Sequence, residues 1–485
     1  MQTRDLCSLV VGLACLSTAC ARNVPSSIGQ LQPKIVNLST QRRTVTDPVA
    51  RDQLRRRAKS VAAGLTNEET LYFVNATIGT PAQPLQLHLD TGSSDLWVNT
   101  PSSAFCSQRG DQCSFAGVYT ANDSSTYEYV GDWFNISYVD GSGASGDYVS
   151  DTVTIAQTKL DRLQFGIGYV SSSAQGILGV GYPINEVQVG RAGKPSYDNL
   201  PAAMVSSGLT SRNAYSLWLN DLDANTGSIL FGGVDTEQYS GSLQTLPIQQ
   251  TGGVFSEFLI TLTSLALGDN TIASKQALAV LLDSGSSLTY LPNKMVQGIY
   301  DQVQAQYDSS SGAAYVPCSL GNSKTTLDFT FSSPKISVEM NELVLNVALS
   351  NGEQPTFQDG QPACLFGIAP AGDSGINVLG DTFLRSAYVV YDIDNNAISL
   401  AQTKFNATRS SVQEIPTGSS IPGATAVSNA VAATSGVFRG NGNGAGDGNN
   451  NVNLGDPDSA ATIAALASTY VLTLVAVGAT LYTTL

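Results

Sequence analysis

Apolar and polar residues alternate over short lengths in the first part of the body. "LYFVNATIG" (Leu71–Gly79) and "LQLHLD" (Leu85–Asp90) predict short, half-buried strands. Helical stripes are rare. In "NKMVQGIYDQVQAQY", Met295, Ile299, Val303 and Tyr307 recur every four residues and predict a helix reaching Tyr307. "NLPAAMVSSG" predicts a second, with Pro201 in its first turn and Gly208 at its end. Long uncharged, mostly apolar stretches stand at the two ends, Leu6–Ala21 and Ala460–Leu485. From about Thr417 the chain turns to Gly, Ser, Asn and Ala, a composition that reads as a linker with no core of its own.

Two stretches break the alternation in the same way. "LHLDTGSSDLWV" (Leu87–Val98) and "LLDSGSSLTYLP" (Leu281–Pro292) each run an apolar strand into a bare Asp, followed by hydroxyl residues and a glycine. Asp90 and Asp283 stand 193 residues apart. An apolar-apolar-Gly follows each, in "QGILGVG" (Gln175–Gly181) and "INVLGDTF" (Ile376–Phe383). The same order twice is the mark of duplication, and it predicts two β lobes around a cleft. A carboxyl at the end of a buried strand needs donors. Thr91, Ser93, Ser284 and Ser286 offer hydroxyls, while Gly92 and Gly285 let the backbone turn its N–H groups toward the acid. Two such loops face to face would share one proton between their carboxyls, so that one could deprotonate a water and the other protonate a carbonyl.

Composition supports a turn-rich β protein: 485 residues, 46 of them Gly, and 42% hydrophobic, enough for two or three compact units. A net charge of −15 argues against nucleic acid as a partner. That charge is uneven. Residues 1–59 hold ten Lys or Arg against three Asp or Glu, so the rest of the chain, with 14 basic and 36 acidic residues, carries about −22. The only histidine is His88, two residues before Asp90 on the same strand face, and it reads as a packed neighbour of the site. Histidine-based hydrolysis and histidine zinc sites are thereby disfavoured, and no metal or cofactor is expected.

Both ends read as processed. Arg4 and the apolar run to Ala21, closing on Ala19-Cys20-Ala21, form a secretory signal (1–21). Residues 22–59, with Arg42-Arg43 and Arg55-Arg56-Arg57, read as a removed basic pro-segment. Four cysteines remain, for an oxidising compartment; of the three pairings the short loop favours Cys106–Cys113, which leaves Cys318–Cys364. Sequons stand at Asn37, Asn75, Asn122, Asn135 and Asn406, the last four within the mature chain. A linker (404–448) and a tail (449–485), uncharged from Ala460 to Leu485 and without a basic flank, read as a lipid-attachment signal, with Gly446, Asp447, Gly448, Asn449 and Asn450 as candidate sites. The membrane partner would be reached through that glycosylphosphatidylinositol (GPI) anchor, at the outer face of the cell membrane or in the wall.

The two Asp loops, with Trp97, "ISYVDGSGASG" (Ile136–Gly146) and the paired segments Ile177-Leu178-Gly179 and Val378-Leu379-Gly380, resemble the pepsin-like aspartic proteases over roughly residues 70–403. With the signal, pro-segment and tail, the chain is similar to fungal GPI-anchored endopeptidases of the yapsin and candidapepsin-like type. The resemblance implies an all-β, bilobal fold with an N-terminal lobe (60–250), a C-terminal lobe (251–403) and a central cleft. It implies a monomeric endopeptidase acting on proteins or peptides at acid pH through water held by Asp90 and Asp283. Ser93 and Ser286 would bond the outer carboxylate oxygens, and Thr91 and Ser284 would tie the loops. Tyr138 would close a flap over the substrate and bond Trp97. Val139 stands where the family has a flap glycine, and His88 where it has an aliphatic residue. Asp140, beside Gly141 at the flap tip, would favour Lys or Arg before the cut, or else merely shape a hairpin turn. The competing readings are a silent pepsin-like binding protein and a structural surface protein. The first would have lost an Asp, the flap tyrosine or a loop glycine, all present here; the second leaves the duplicated loops unexplained.

Overall fold

The structure is a computed structural model that describes residues 34–45, 65–67, 69–108, 112–138, 143–156, 158–224, 226–349, 353–372 and 375–437. All of these lie within one compact unit, Lys34–Leu485. The signal segment, the lipid-attachment candidates and the apolar tail lie outside the described residues.

Strands dominate, as alternation and turn-rich composition require. A 14-stranded sheet runs through the body. At one end Glu69–Ile78 pairs with both Gln83–Asp90 and Gly143–Ile155, which curls the N-terminal part toward a barrel. Toward the other end the two halves of the chain interleave: Ala214–Trp218 pairs with Ala387–Asp392, and Tyr239–Pro247 with Ala397–Thr403. The C-terminal half adds smaller sheets, including one of five strands that carries Leu278–Leu282, Thr289–Leu291 and Val378–Leu379.

The duplication is visible in the pairing. Gln83–Asp90 lies parallel to Gly176–Gly179, with Asp90 opposite Gly179. Leu278–Leu282 lies parallel to Val378–Leu379, with Leu282 opposite Leu379. The glycine closing each supporting segment is dictated by contact. A methyl on Gly179 would meet the Ser94 and Asp95 backbone at 2.7 Å, and one on Gly380 would meet the Ser286 and Leu288 carbonyls at 2.3 Å.

Three elements differ from the sequence reading. The segment read as a pro-peptide contains a strand, Val36–Val45, that lies inside the large sheet between Thr226–Phe231 and Glu69–Ile78. Val36, Leu38 and Thr40 alternate inward and are buried, a period-two pattern that the basic residues masked. The region read as a linker from residue 404 is, as far as Val437, a strap along the body. It contributes the strands Val412–Glu414 and Ala424–Ala426, buries Ile415 and Ile421, and ends with Ser435 bridged to Leu278. Its few apolar residues suffice because a preformed surface receives them, so low hydrophobic content did not mean absence of structure. Finally, the helix Asn293–Val303 stops at Gln304, whose φ of 56° is left-handed, and Tyr307 falls in the next strand, Gln306–Asp308. Its buried face is Met295, Val296, Ile299 and Tyr300. The helix Leu200–Ser206 begins at Asn199, whose side chain accepts from Ala202 N–H.

Two disulfides are formed, Cys106–Cys113 and Cys318–Cys364.

Candidate active site

Two strand ends carry the site. At the first, Asp90 Oδ1 accepts from Gly92 N–H at 2.8 Å and Oδ2 from the Ser93 hydroxyl at 2.7 Å. At the second, Asp283 Oδ1 accepts from Gly285 N–H at 2.7 Å and Oδ2 from the Ser286 hydroxyl at 2.6 Å. Both acids are buried. Each therefore has a glycine N–H and a serine hydroxyl as donors in the same order, which fix its carboxyl plane.

The loops are tied to each other. Thr91 Oγ1 accepts from Ser284 N–H at 2.9 Å and donates to the Leu282 carbonyl at 3.0 Å. Ser284 Oγ accepts from Thr91 N–H at 3.2 Å and donates to the Leu89 carbonyl at 3.0 Å. Four buried bonds thus hold the two strand ends in a near-twofold arrangement. Gly92 lies against the opposite acid: a methyl there would sit 2.5 Å from Asp283 Oδ1.

Aromatic rings support this junction. The Phe258 and Tyr391 centroids are 4.7 Å apart, and Tyr391 stacks on Tyr215 at 4.9 Å. Tyr215 donates to the carbonyl of Val180, the residue whose N–H bonds the Asp90 carbonyl. Burial pushes the Tyr215 phenol well up, so it stays a donor.

On the Asp90 side, Trp97 Nε1 donates to Tyr138 Oη at 2.8 Å, and Tyr138 packs on the cluster of Trp97, Ile136 and Ile177. Asp140 and Gly141 fall outside the described residues. His88 is fully buried beside Phe73, with ring centroids 5.9 Å apart. Asn75, Asn122, Asn135 and Asn406 are exposed; the Asn135 carbonyl accepts from Arg191, and the Asn406 side-chain amide donates to Asp221.

Sequence reasoning passed over two groups. Asp95, inside the first signature stretch, accepts from Tyr148 Oη at 2.6 Å, Tyr197 Oη at 2.9 Å and Val187 N–H at 2.9 Å. Burial raises its carboxyl above the usual range. Nearby, burial pushes Glu186 up to about 9, with the Asp95 and Asp198 charges adding to it. Glu186 Oε2 accepts from Tyr197 N–H at 2.8 Å. The spacing Asp90-x4-Asp95 could have flagged the first acid; nothing local marks Glu186. The second group is Glu257, half-buried, whose Oε2 accepts from the Thr251 hydroxyl at 3.2 Å.

Two buried, symmetrically solvated carboxyls across a tied junction are suited to holding one water between an acid and a base. Comparison with known proteins agrees. The family model "Eukaryotic aspartyl protease" matches residues 71–403. The probable aspartic-type endopeptidase opsB of Aspergillus oryzae is 58% identical over 409 residues, covering 83% of each chain. Its namesake from Aspergillus fumigatus is 53% identical over 435 residues, 88% of this chain and 87% of the relative. Secreted aspartic protease 1 of Candida albicans is 39% identical over 358 residues, 72% of this chain and 85% of the relative.

Proposed function

The chain belongs to the eukaryotic aspartyl protease family and is an aspartic-type endopeptidase, and from that premise we propose that Asp90 and Asp283 are its catalytic pair. One observation carries the reading: each acid has the same two donors, and Thr91 and Ser284 bind the two loops reciprocally. Facing carboxyls at such a junction do not both ionise, a behaviour characteristic of this family's dyad.

The chemistry then balances as follows. The ionised carboxyl takes a proton from water while the water oxygen bonds the peptide carbonyl carbon. The protonated carboxyl gives its proton to the carbonyl oxygen, leaving a neutral tetrahedral diol. Collapse breaks the C–N bond: the newly protonated carboxyl hands its proton to the leaving nitrogen, and a diol hydroxyl returns one to its partner. Ser93 and Ser286 hold the outer oxygens, so both carboxyl planes stay fixed through the cycle. Tyr138, held by Trp97, is the flap residue that covers the substrate, and Asp140 at the flap tip favours Lys or Arg before the cut.

The remainder of the reading concerns routing. Residues 1–21 direct secretion, 22–59 form a removable pro-segment, and 449–485 are exchanged for a GPI lipid within Gly446–Asn450. The four exposed sequons suit a glycosylated surface. Cleavage of an unfolded protein at acid pH, blocked by pepstatin and abolished in Asp90→Asn, is the test; pepstatin-resistant cleavage would overturn the dyad. Release of the protein from membranes by phosphoinositide phospholipase tests the anchor; a lipase-resistant protein retaining residues 460–485 would overturn it.

A further inference from the structure

The strand that leads into Asp283, Leu278–Leu282, has two edges. One is taken by Leu259–Leu262, which pairs with it antiparallel. The other is taken by two segments in turn. Asp283 N–H donates to the Leu379 carbonyl at 3.1 Å, and Leu281 N–H to the Asn377 carbonyl at 2.9 Å. Toward the start of the strand the next two bonds come from the strap instead. Ala279 N–H donates to the Ser435 carbonyl at 2.8 Å, and the Ala277 carbonyl accepts from Thr434 N–H at 2.8 Å. The Ser435 hydroxyl also donates to the Ala277 carbonyl, at 3.3 Å.

The first half of the chain fills the matching place from within. Four residues before Asp90, Gln86 N–H donates to the Ala116 carbonyl at 2.8 Å; four residues before Asp283 stands Ala279, on Ser435. A glycine with a left-handed φ follows each partner, Gly117 at 78° and Gly436 at 75°. A methyl on Gly117 would meet the Pro84 carbonyl at 2.4 Å, and one on Gly436 the Ala279 carbonyl at 2.7 Å. Ala116 is fixed by its own loop: its N–H and that of Gly117 both bond the carbonyl of Cys113, which is bridged to Cys106. Ser435 lies well beyond residue 403, where the family match ends.

We infer that Thr434–Gly436 is a positioning element for Asp283: the strap supplies to the second half the edge partner that the first half supplies to itself. The inference rests on Asp283 being one of the catalytic pair. The strap arrives at this place already fixed. Val427 N–H bonds the Thr245 carbonyl, Val431 N–H the Ser332 hydroxyl and Ala433 N–H the Gln249 side-chain oxygen. Lifting its end strips two backbone bonds from the strand and leaves the acid's own donors, Gly285 N–H and the Ser286 hydroxyl, in place. The acid then keeps its chemistry and loses its alignment, and misalignment is paid in turnover more than in binding. The endopeptidase unit thus runs to Val437 and not to residue 403.

The test compares variants of the full chain by kcat per pepstatin-titrated site, which counts only folded enzyme, with KM alongside. Gly436→Ala sets a methyl against the Ala279 carbonyl; its kcat should fall on the order of tenfold, with KM within about twofold. Ser435→Ala removes only the hydroxyl bond and should lie between that variant and the wild type. Ser332→Ala frees the strap at Val431 and leaves its end in place, so its kcat should match the wild type. Unchanged kcat per site in whichever of Gly436→Ala and Ser435→Ala folds overturns the inference, even where the number of titrated sites drops, because the strap then serves folding alone. So does an equal fall in Ser332→Ala, or a change confined to KM. Failure of the dyad reading is told apart, since pepstatin would then titrate no sites in the wild type.

Discussion

Thr91 and Ser284 hold each other by equivalent bonds, each hydroxyl accepting from the other's N–H and donating to the carbonyl two residues before the other. The equivalence makes the junction a single mechanical unit, so damage to either loop reaches both acids. Thr91→Val keeps the shape and removes the hydroxyl, stranding the Ser284 N–H and the Leu282 carbonyl. The expected cost is about 2–4 kcal/mol in urea unfolding, with kcat falling more than KM changes, since position and not binding is lost. Thr91→Ser should restore both. A Val variant as stable and as active as the wild type would refute the tie.

Asp90→Asn and Asp283→Asn keep shape but remove the shared proton and the base. Activity should fall by several orders of magnitude in either, with the melting transition retained. Initial rates on an unfolded protein substrate at acid pH measure this. More than a few per cent of residual activity in either variant would count against the pair.

Glu186 predicts how stability varies with pH. Its carboxyl stays protonated in the folded chain up to about 9, against 4.5 when free. Below the free value both states hold the proton and nothing is lost. As pH rises from there toward the folded value, the unfolded chain ionises first, and folding weakens by up to about 1.4 kcal/mol per pH unit. Melting temperatures between pH 5 and pH 8 should therefore fall more steeply in the wild type than in Glu186→Gln. Parallel slopes would remove Glu186 as the cause.

Leu38 is buried in the main core although it lies in the segment proposed to be cut away. Leu38→Asp would place an unpaired acid inside the sheet before maturation, at a cost of several kcal/mol, on the order of the whole stability margin. Precursor reaching the cell surface should drop sharply on an immunoblot of surface-labelled protein. Normal yield would show that the sheet closes without this strand.

Much of this was legible in the sequence because the chemistry is local. Asp90, Ser93, Asp283 and Ser286 bond within their own loops, so the signature stretches carry nearly all the information needed. Ile177-Leu178-Gly179 and Val378-Leu379-Gly380 could be matched by type, since glycine there answers a backbone contact. The strand Val36–Val45 was obscured because charge in its second half drew attention from the inward alternation of its first. The strap from Lys404 to Val437 was read as linker because composition counts residues and ignores what surface is waiting for them. Glu186 was invisible for a different reason: it matters only through partners that folding brings from elsewhere, Asp95 and Tyr197.

The strap would also set how far the enzyme can stand from the membrane that the proposed lipid anchor reaches. Its last described bridge is at Ser435, and the chain is tied to the body as far as Val437. From there to an attachment point within Gly446–Asn450, a fully extended chain spans no more than roughly 30–45 Å. Counted from Lys404, the same leash would have been more than three times longer. With the strap docked and the proposed lipid attached, the catalytic body would work within about one protein diameter of the bilayer. On that proposal, proteins embedded in or passing through that thin layer would be within its reach, and those further out in the wall would not.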